Sequence, residues 1–389
     1  MDDVIDIAEL YMKNEVEKVI VGDRIKEARI YRGLSQTELA DGLGVTRQAV
    51  SKYEMSKTLP SSSIVAKLPR VLKFPIRYFF KEKNFKEKES SITYFRSNAI
   101  PKKTKSQLEY MIKLMDSEIV DFYLKYIQLP KLNIPKLEDI VEDAKCNYDR
   151  DEIMKISKLL REHWGLGDKP ISDLAYTLQK NGFILSSIKI NQDKTDGFSQ
   201  WINSIPYIIT SSNKQSAVRN RYDNAHELGH LILHRKVGIE EQASPSIERD
   251  ADYFASEFLY PSNVFIREIQ GLAISLETFI YLKEKWGISI QAIVRKCLDL
   301  EIISEDKYTY FQKRISAKGW RKKEPLDGMI KIEEPSLFKD ATELLLENNS
   351  ITKQDILGEI DMLQEDIISL CNLPKDFFDS ELSNVIKLF

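Results

Sequence analysis

Three of the chain's four histidines fall within nine residues, in the stretch Asn224-Ala225-His226-Glu227-Leu228-Gly229-His230-Leu231-Ile232-Leu233-His234. An α-helix turns about 100° per residue, so positions i and i+4 share a face. His226 and His230 can therefore point two imidazoles at one metal ion. Glu227, one position on, stands beside that ion rather than on it, where its carboxylate can take a proton from an attacking water. Two histidine ligands, an open coordination position and a glutamate base are the parts of a zinc hydrolase. The competing reading is a His-Glu-x-x-His arising by chance on a solvated helix, because the pattern alone fixes only three positions in five.

A catalytic zinc takes a third protein ligand. His234 is the nearest in sequence, but on a straight helix it lies about 12 Å along the axis from His226. Ligand atoms must lie about 2 Å from the metal. His234 is therefore expected to be a buried or capping histidine. Glu248 is the better third ligand. It opens Glu248-Arg249-Asp250-Ala251-Asp252-Tyr253-Phe254-Ala255-Ser256-Glu257-Phe258-Leu259-Tyr260-Pro261, where Ala251, Phe254, Ala255, Phe258 and Leu259 recur at helical spacing and Pro261 ends the run. A second helix packed on the first can deliver Glu248 to the metal. Asp252, one turn later on the same face, can accept a hydrogen bond from a ligand histidine's second N–H.

The run Arg219 to His234, with Glu248-x-x-Ala251-Asp252-x-Phe254-Ala255 and the closing Pro261, resembles the ImmA/IrrE family of bacterial metallopeptidases in order and spacing. The resemblance implies a compact gluzincin-like fold and one zinc, with manganese the alternative. It implies His226, His230 and Glu248 as ligands and Glu227 as the catalytic glutamate. It also implies the family's best-known activity, cleavage of a helix-turn-helix repressor that switches on genes of stress responses or mobile elements.

A second signal lies between residues 22 and 80. Eleven Lys and Arg stand there against five Asp and Glu, although the whole chain carries a net charge of −3. A basic segment in an acidic chain is the footprint of a phosphate-binding surface. Ser35 with Glu38 three residues on forms a capping box for one helix. Gly44 makes a turn, and Thr46 caps a further helix from Arg47 to Glu54. Ala49, Val50 and Tyr53 face inward on that helix; Arg47, Gln48, Ser51 and Lys52 face out. The set Ser35-Gln36-x-Glu38-Leu39-Ala40, Gly44-Val45-Thr46, Ser51-x-Tyr53-Glu54 and Pro60 resembles the helix-turn-helix domain of phage-type (XRE) repressors. That resemblance implies that Gln36 anchors to a phosphate and that Arg47, Gln48 and Lys52 enter the major groove, where Arg pairs well with guanine and Gln with adenine. Ser56 departs from the pattern, which favours Gly there, so a left-handed turn at Ser56 is expected to be mildly strained. The competing reading is a basic bundle that binds a protein.

The remaining chain sets the frame. A length of 389 residues is enough for two or three domains. No apolar run approaches the 18 or so residues of a membrane span, and the acidic start lacks the order of a secretory signal. Cys146, Cys297 and Cys371 are scattered, which suits a reducing cytoplasm. The expected fold is mainly α (α+β), with an N-terminal helix-turn-helix bundle, a central gluzincin-like metallopeptidase domain with a small β-sheet, and a helical C-terminal region. In order, residues 1–21 form an N-terminal helix, 22–80 the helix-turn-helix domain, and 81–135 a linker and connecting helix. Residues 136–262 form the metallopeptidase domain, 263–325 a helical extension and 326–389 a helical region without assigned role. The connecting helix carries an apolar stripe from Leu108 to Tyr126. Helices are expected over Leu137–Trp164 and around Ile356–Leu370, and strands at Gly182–Ile190, Gly197–Trp201 and Pro206–Thr210, the last two forming a hairpin about Asn203-Ser204. A substrate strand can add to the edge of such a sheet.

The expected protein is a cytoplasmic, DNA-binding regulator with a zinc-dependent endopeptidase on the same chain. Its expected partners are a double-stranded DNA operator with an inverted repeat, a second copy of itself, and a protein substrate that is itself a helix-turn-helix repressor. The sequence singles out no residue to stabilise an oxyanion; Tyr222 and His234 are only weak candidates. The alternative is a repressor or antitoxin whose peptidase-like domain senses or scaffolds without catalysis. Self-cleavage between Lys81 and Pro101 is expected to part the DNA reader from the peptidase; a repressor cut in trans is the preferred target.

Overall fold

The computed structural model describes residues 19–81, 93–95, 100–136, 145–189, 196–213, 216–235, 237 and 244–379. The expected N-terminal helix falls almost wholly outside these residues, as do 82–92 of the expected linker and 137–144 of one expected helix. The chain forms two compact units: residues up to 88, 99–128 and from 338 onward make the first, and residues 89–98 and 129–337 the second.

The first unit begins with α1 (Gly22–Tyr31), α2 (Gln36–Leu43), α3 (Arg47–Glu54) and the short α4 (Ser62–Val65) and α5 (Leu68–Leu72), followed by a 3-10 turn at Ile76–Phe80. The caps are those the sequence announces. Ser35 and Glu38 exchange side-chain and backbone bonds at the start of α2, Gly44 ends it with φ 73°, and Thr46 accepts from the Ala49 N–H at the start of α3. Leu39, Leu43, Val50, Leu68 and Leu72 are buried between these helices. Next come α6 (Lys102–Leu114), a π turn at Met115–Val120 and α7 (Asp121–Tyr123). The π turn adds a residue to the helical repeat, so the apolar stripe leaves register: Phe122 and Tyr123 are buried but Tyr126 is exposed. It also carries Glu118 inward, 2.8 Å from Lys81 Nζ and 3.8 Å from Arg24.

The second unit holds the sheet, in the order β1-β3-β4-β2. The strands are β1 (Tyr94–Phe95), β2 (Ile184–Ile188), β3 (Gly197–Ile202) and β4 (Ile205–Ser211). β3 and β4 form the expected antiparallel hairpin, with Asn203 left-handed at φ 50°. β2 lies parallel to β4, and β1 takes the outer edge of β3 by pairing with Phe198 and Ser199. Before β2 come α8 (Arg150–His163), capped by Asp149, and α9 (Leu174–Lys180), capped by Asp173. After β4 come α10 (Ala217–Leu233) and α11 (Pro245–Leu259), then α12 (Ser262–Ile269), α13 (Leu276–Trp286), α14 (Ile290–Asp299) and α15 (Glu305–Ala317). One core unites them: Phe183, Ile208, Leu228, Leu231, Phe254, Phe258, Leu282, Trp286 and Ile293 are all buried in it. The segment after α15 returns to this unit. Glu324 accepts from the N–H groups of Ile290 and Gln291 at the start of α14 and from the buried Lys283 at 2.8 Å.

The chain then re-enters the first unit with α16 (Leu337–Glu347), α17 (Lys353–Glu359) and α18 (Gln364–Cys371). The single helix expected around Ile356–Leu370 is two, parted at Ile360, which is extended. Asp361 in the break pairs with Arg77 and, at 3.2 Å, with Lys81. Phe338 stacks on Tyr123 with ring centroids 5.0 Å apart. The fold is mainly α with a small sheet, as expected. Among the described residues no helix is long and apolar enough to cross a membrane.

Candidate metal centre and nucleic-acid interface

The centre is built where α10 crosses α11. Gly229 faces Ala251 at the crossing, and a Cβ at Gly229 would stand 3.1 Å from Ala251 Cα. The absent side chain lets the helices approach closely enough for Glu248, near the start of α11, to reach the histidine pair on α10. His226 Nε2 and His230 Nε2 lie 3.0 Å apart; Glu248 Oε2 lies 3.4 Å from the first and Glu248 Oε1 3.4 Å from the second. Both histidines are fully buried, whereas the Glu248 side chain is 29% exposed, so one side of the cluster opens to solvent.

These separations can be compared with a metal's needs. Donors about 2.1 Å from a tetrahedral ion are about 3.4 Å from one another, and two neutral imidazoles with one carboxylate are a common zinc set. The donor chemistry and spacing fit zinc with a fourth position left open. The local electrostatics agree. Burial holds His230 below its ordinary pKa and so favours the neutral ring that a metal needs. Burial alone would raise Glu248, but hydrogen bonds and charge from His226 and His230 outweigh it and hold the carboxyl well below the usual range.

The surrounding groups orient the ligands. Asp252 Oδ1 lies 2.8 Å from His226 Nδ1, in the place expected from its spacing. His234 is buried at the C-terminal cap of α10, with Nδ1 3.3 Å from His230 Nδ1, so it stands behind a ligand position rather than in one. Burial, reinforced by His230, pushes its pKa down to about 2. The Tyr222 hydroxyl donates to the Asp252 backbone carbonyl at 3.0 Å. Glu227 is 1% exposed, and its Oε2 accepts from Ser199 Oγ at 2.6 Å. Sequence reading placed Ser199 in a strand but gave it no part in the site, because nothing in a hairpin pattern says which helix residue the strand will face.

The five residues expected to meet DNA lie on α2 and α3. Arg47, Gln48 and Lys52 are exposed, and Ser51 is half-buried on the same helix. Gln36, half-buried at the start of α2, donates from Nε2 to Glu54 Oε2 at 2.9 Å. Arg29 on α1 closes on the same buried carboxylate at 2.5 and 3.1 Å. Glu54 thus ties three helices and fixes the Gln36 amide; its place in the motif was legible but not this role. Ser56 does adopt the left-handed turn, at φ 54°, and its Oγ accepts from the Gly22 N–H at 3.3 Å.

Comparison with known proteins divides the chain at the same two places. Residues 179–298 match the family model of the IrrE N-terminal-like domain, a peptidase family, and residues 25–79 match a helix-turn-helix family model. An uncharacterized HTH-type transcriptional regulator from the SPbeta prophage of Bacillus subtilis is 43% identical over 51 residues, which are 13% of this chain and 47% of that protein. An uncharacterized HTH-type transcriptional regulator of Sinorhizobium medicae is 34% identical over 62 residues, 16% of this chain and 45% of that one. One of Sinorhizobium fredii is 36% identical over 62 residues, with 16% and 43% covered. The chain spans about half the length of the curated relatives it matches. It carries an XRE-type helix-turn-helix domain and an IrrE-like domain of a peptidase family, and both resemblances read from the sequence hold.

Proposed function

We propose that this chain is a DNA-binding transcriptional regulator whose second unit is a zinc-dependent endopeptidase, with a separate helix-turn-helix repressor as its substrate. The observation that carries the reading is the cluster of His226, His230 and Glu248 donor atoms, all within 4.8 Å of one another, with the buried Glu227 next in sequence to His226. His226 Nε2, His230 Nε2 and a Glu248 oxygen would hold the ion. When bound, such an ion polarises a scissile carbonyl and acidifies a water.

The rest falls to the chain's own groups. Asp252 accepts from His226 Nδ1–H and so leaves Nε2 with its lone pair toward the site. Neutral His234 accepts from His230 Nδ1–H and does the same for the second ligand. Glu227 takes the proton of the attacking water and later delivers it to the leaving amine. The Tyr222 hydroxyl donates to the Asp252 carbonyl and His234 stands behind His230, so neither is assigned to the oxyanion.

On the DNA side, the exposed Arg47, Gln48 and Lys52 support base reading, and the anchored Gln36 supports phosphate contact. Two copies would read an inverted repeat. The layout of the first unit supports a substrate in trans. Three separate stretches, 19–81, 100–128 and 338–379, pack together in it. A cut between Lys81 and Pro101 would leave residues 19–81 clasped by the other two, so it would not by itself part reader from peptidase as the sequence alone led one to expect.

The test is to load wild-type and Glu227→Gln chains with zinc and incubate each alone and with helix-turn-helix proteins encoded beside it. Products are mapped by mass spectrometry. Both should hold about one zinc per chain, His230→Ala should lose tight binding, and only the wild type should cut a partner. Zinc-loaded wild type that cuts none of them would leave the sensor or scaffold reading.

A further inference from the structure

Two small residues of β3 face the Glu227 carboxylate. Gly197 and Ser199 are two apart, so they share one face of the strand. Ser199, fully buried, donates from Oγ to Glu227 Oε2 at 2.6 Å. A Cβ at Gly197 would stand 3.2 Å from Glu227 Oε1 and 3.3 Å from the Ile209 carbonyl oxygen, so the missing side chain leaves the space that the other carboxylate oxygen fills. Both positions are set by the hairpin, where Gly197 pairs with Thr210 and Ser199 with Ile208. The cradle is therefore part of a sheet and not of a loop.

A glutamate side chain has several rotatable bonds, and a base that must act at one point needs its surroundings to choose among the rotamers. Asp252 and His234 orient the two imidazoles in this way. The geometry points to Ser199 as the positioning residue for Glu227, with Gly197 as the gap that admits the carboxylate. The inference rests on the reading of Glu227 as the base of a metal site. Under it, β3 is the wall behind the base, with Gly197 and Ser199 set against that carboxylate while Trp201, next on the same face, donates to the Leu231 carbonyl oxygen of α10. Such a role differs from merely satisfying a buried acid, because it alters how the carboxylate meets the metal centre and not only how stable the fold is.

The two roles separate in the visible spectrum of the Co2+-loaded full chain, which responds to the surroundings of the ion. The chains to compare are wild type, Ser199→Ala, Gly197→Ala, Glu227→Gln and the two doubles that combine each β3 change with Glu227→Gln. All retain His226, His230 and Glu248, so all should take up about one Co2+. Glu227→Gln should shift the bands. Ser199→Ala and Gly197→Ala should each shift them in the wild-type background and leave them unchanged in the Glu227→Gln background. Bands of both β3 variants that coincide with wild type would overturn the inference while the site reading stands. Equal shifts in the two backgrounds would overturn it also, since the effect would then bypass Glu227. No Co2+ uptake, or Glu227→Gln bands that coincide with wild type, would overturn the site reading and the inference with it. Should Ser199→Ala fail to fold, Gly197→Ala decides alone, because it crowds the carboxylate without removing its donor.

Discussion

Gly229 shows how one missing side chain can set the spacing of a site that it does not enter. Its position within His-Glu-x-x-His was plain in the sequence, but its task was not, because the task depends on which helix crosses there. A methyl at Gly229 would press on Ala251 Cα at 3.1 Å and on Phe254 Cδ1 at 3.2 Å. Ala251 is backbone-close and Phe254 is fully buried, so neither yields easily. Gly229→Ala gains about 1 kcal/mol of helix propensity, yet overpacking typically costs about 1–3 kcal/mol. We expect a net loss of stability and, because Glu248 rides on α11, a zinc affinity reduced by about tenfold, on the order of 1.4 kcal/mol. A chelator competition and a thermal melt of the same sample check both. An unchanged zinc affinity would mean that Glu248 reaches the histidines independently of the crossing.

At the scale of elements, local chemistry was legible and long-range pairing was not. The capping box of α2, the turn at Gly44 and the hairpin about Asn203 are written in residues close in sequence, and they occur where the sequence puts them, whereas α8 begins at Arg150, inside the helix expected from Leu137. The π turn in the connecting helix and the break at Ile360 were not legible, because each brings a carboxylate to cations distant in the chain: Glu118 to Lys81, and Asp361 to Arg77 and Lys81. The same contrast holds for α3. Its outward face could be read directly, but the Arg29–Glu54–Gln36 tie beneath it could not. This gives two classes of variant. Arg47→Ala and Gln48→Ala should each relax preference at one base pair by about 1–3 kcal/mol. Gln36→Ala and Glu54→Ala should weaken binding to all sequences alike, the second through the first. Binding to a set of singly substituted operators at one fixed salt concentration distinguishes the classes. A base-specific loss in Glu54→Ala would show that the tie orients α3 rather than the Gln36 amide.

Across the whole molecule, the chain leaves the first unit, which holds the helix-turn-helix domain, after residue 128 and re-enters it at 338, so the second unit is an insertion within the first. What closes the reader is a set of contacts between distant stretches. Asp366 receives Arg32 at 2.5 Å and the Tyr31 hydroxyl at 3.1 Å. Asp361 pairs with Arg77 and Lys81, and Gln107 donates to the Tyr31 carbonyl oxygen at 2.9 Å. Removing one partner of a buried ion pair costs about 3–5 kcal/mol because it strands the other charge, and these partly exposed pairs should cost less, about 1–2 kcal/mol each. A protease site engineered between residues 82 and 92 would open the chain without touching any of these contacts. After the cut, the fragment containing residues 19–81 should co-elute with the rest on gel filtration and still retain operator DNA. The same cut in an Asp361→Ala, Asp366→Ala double variant should release that fragment and abolish retention by the larger piece. If the nicked wild type fell apart in physiological salt, the clasp would be too weak to hold the reader, and self-cleavage would regain its place as a switch.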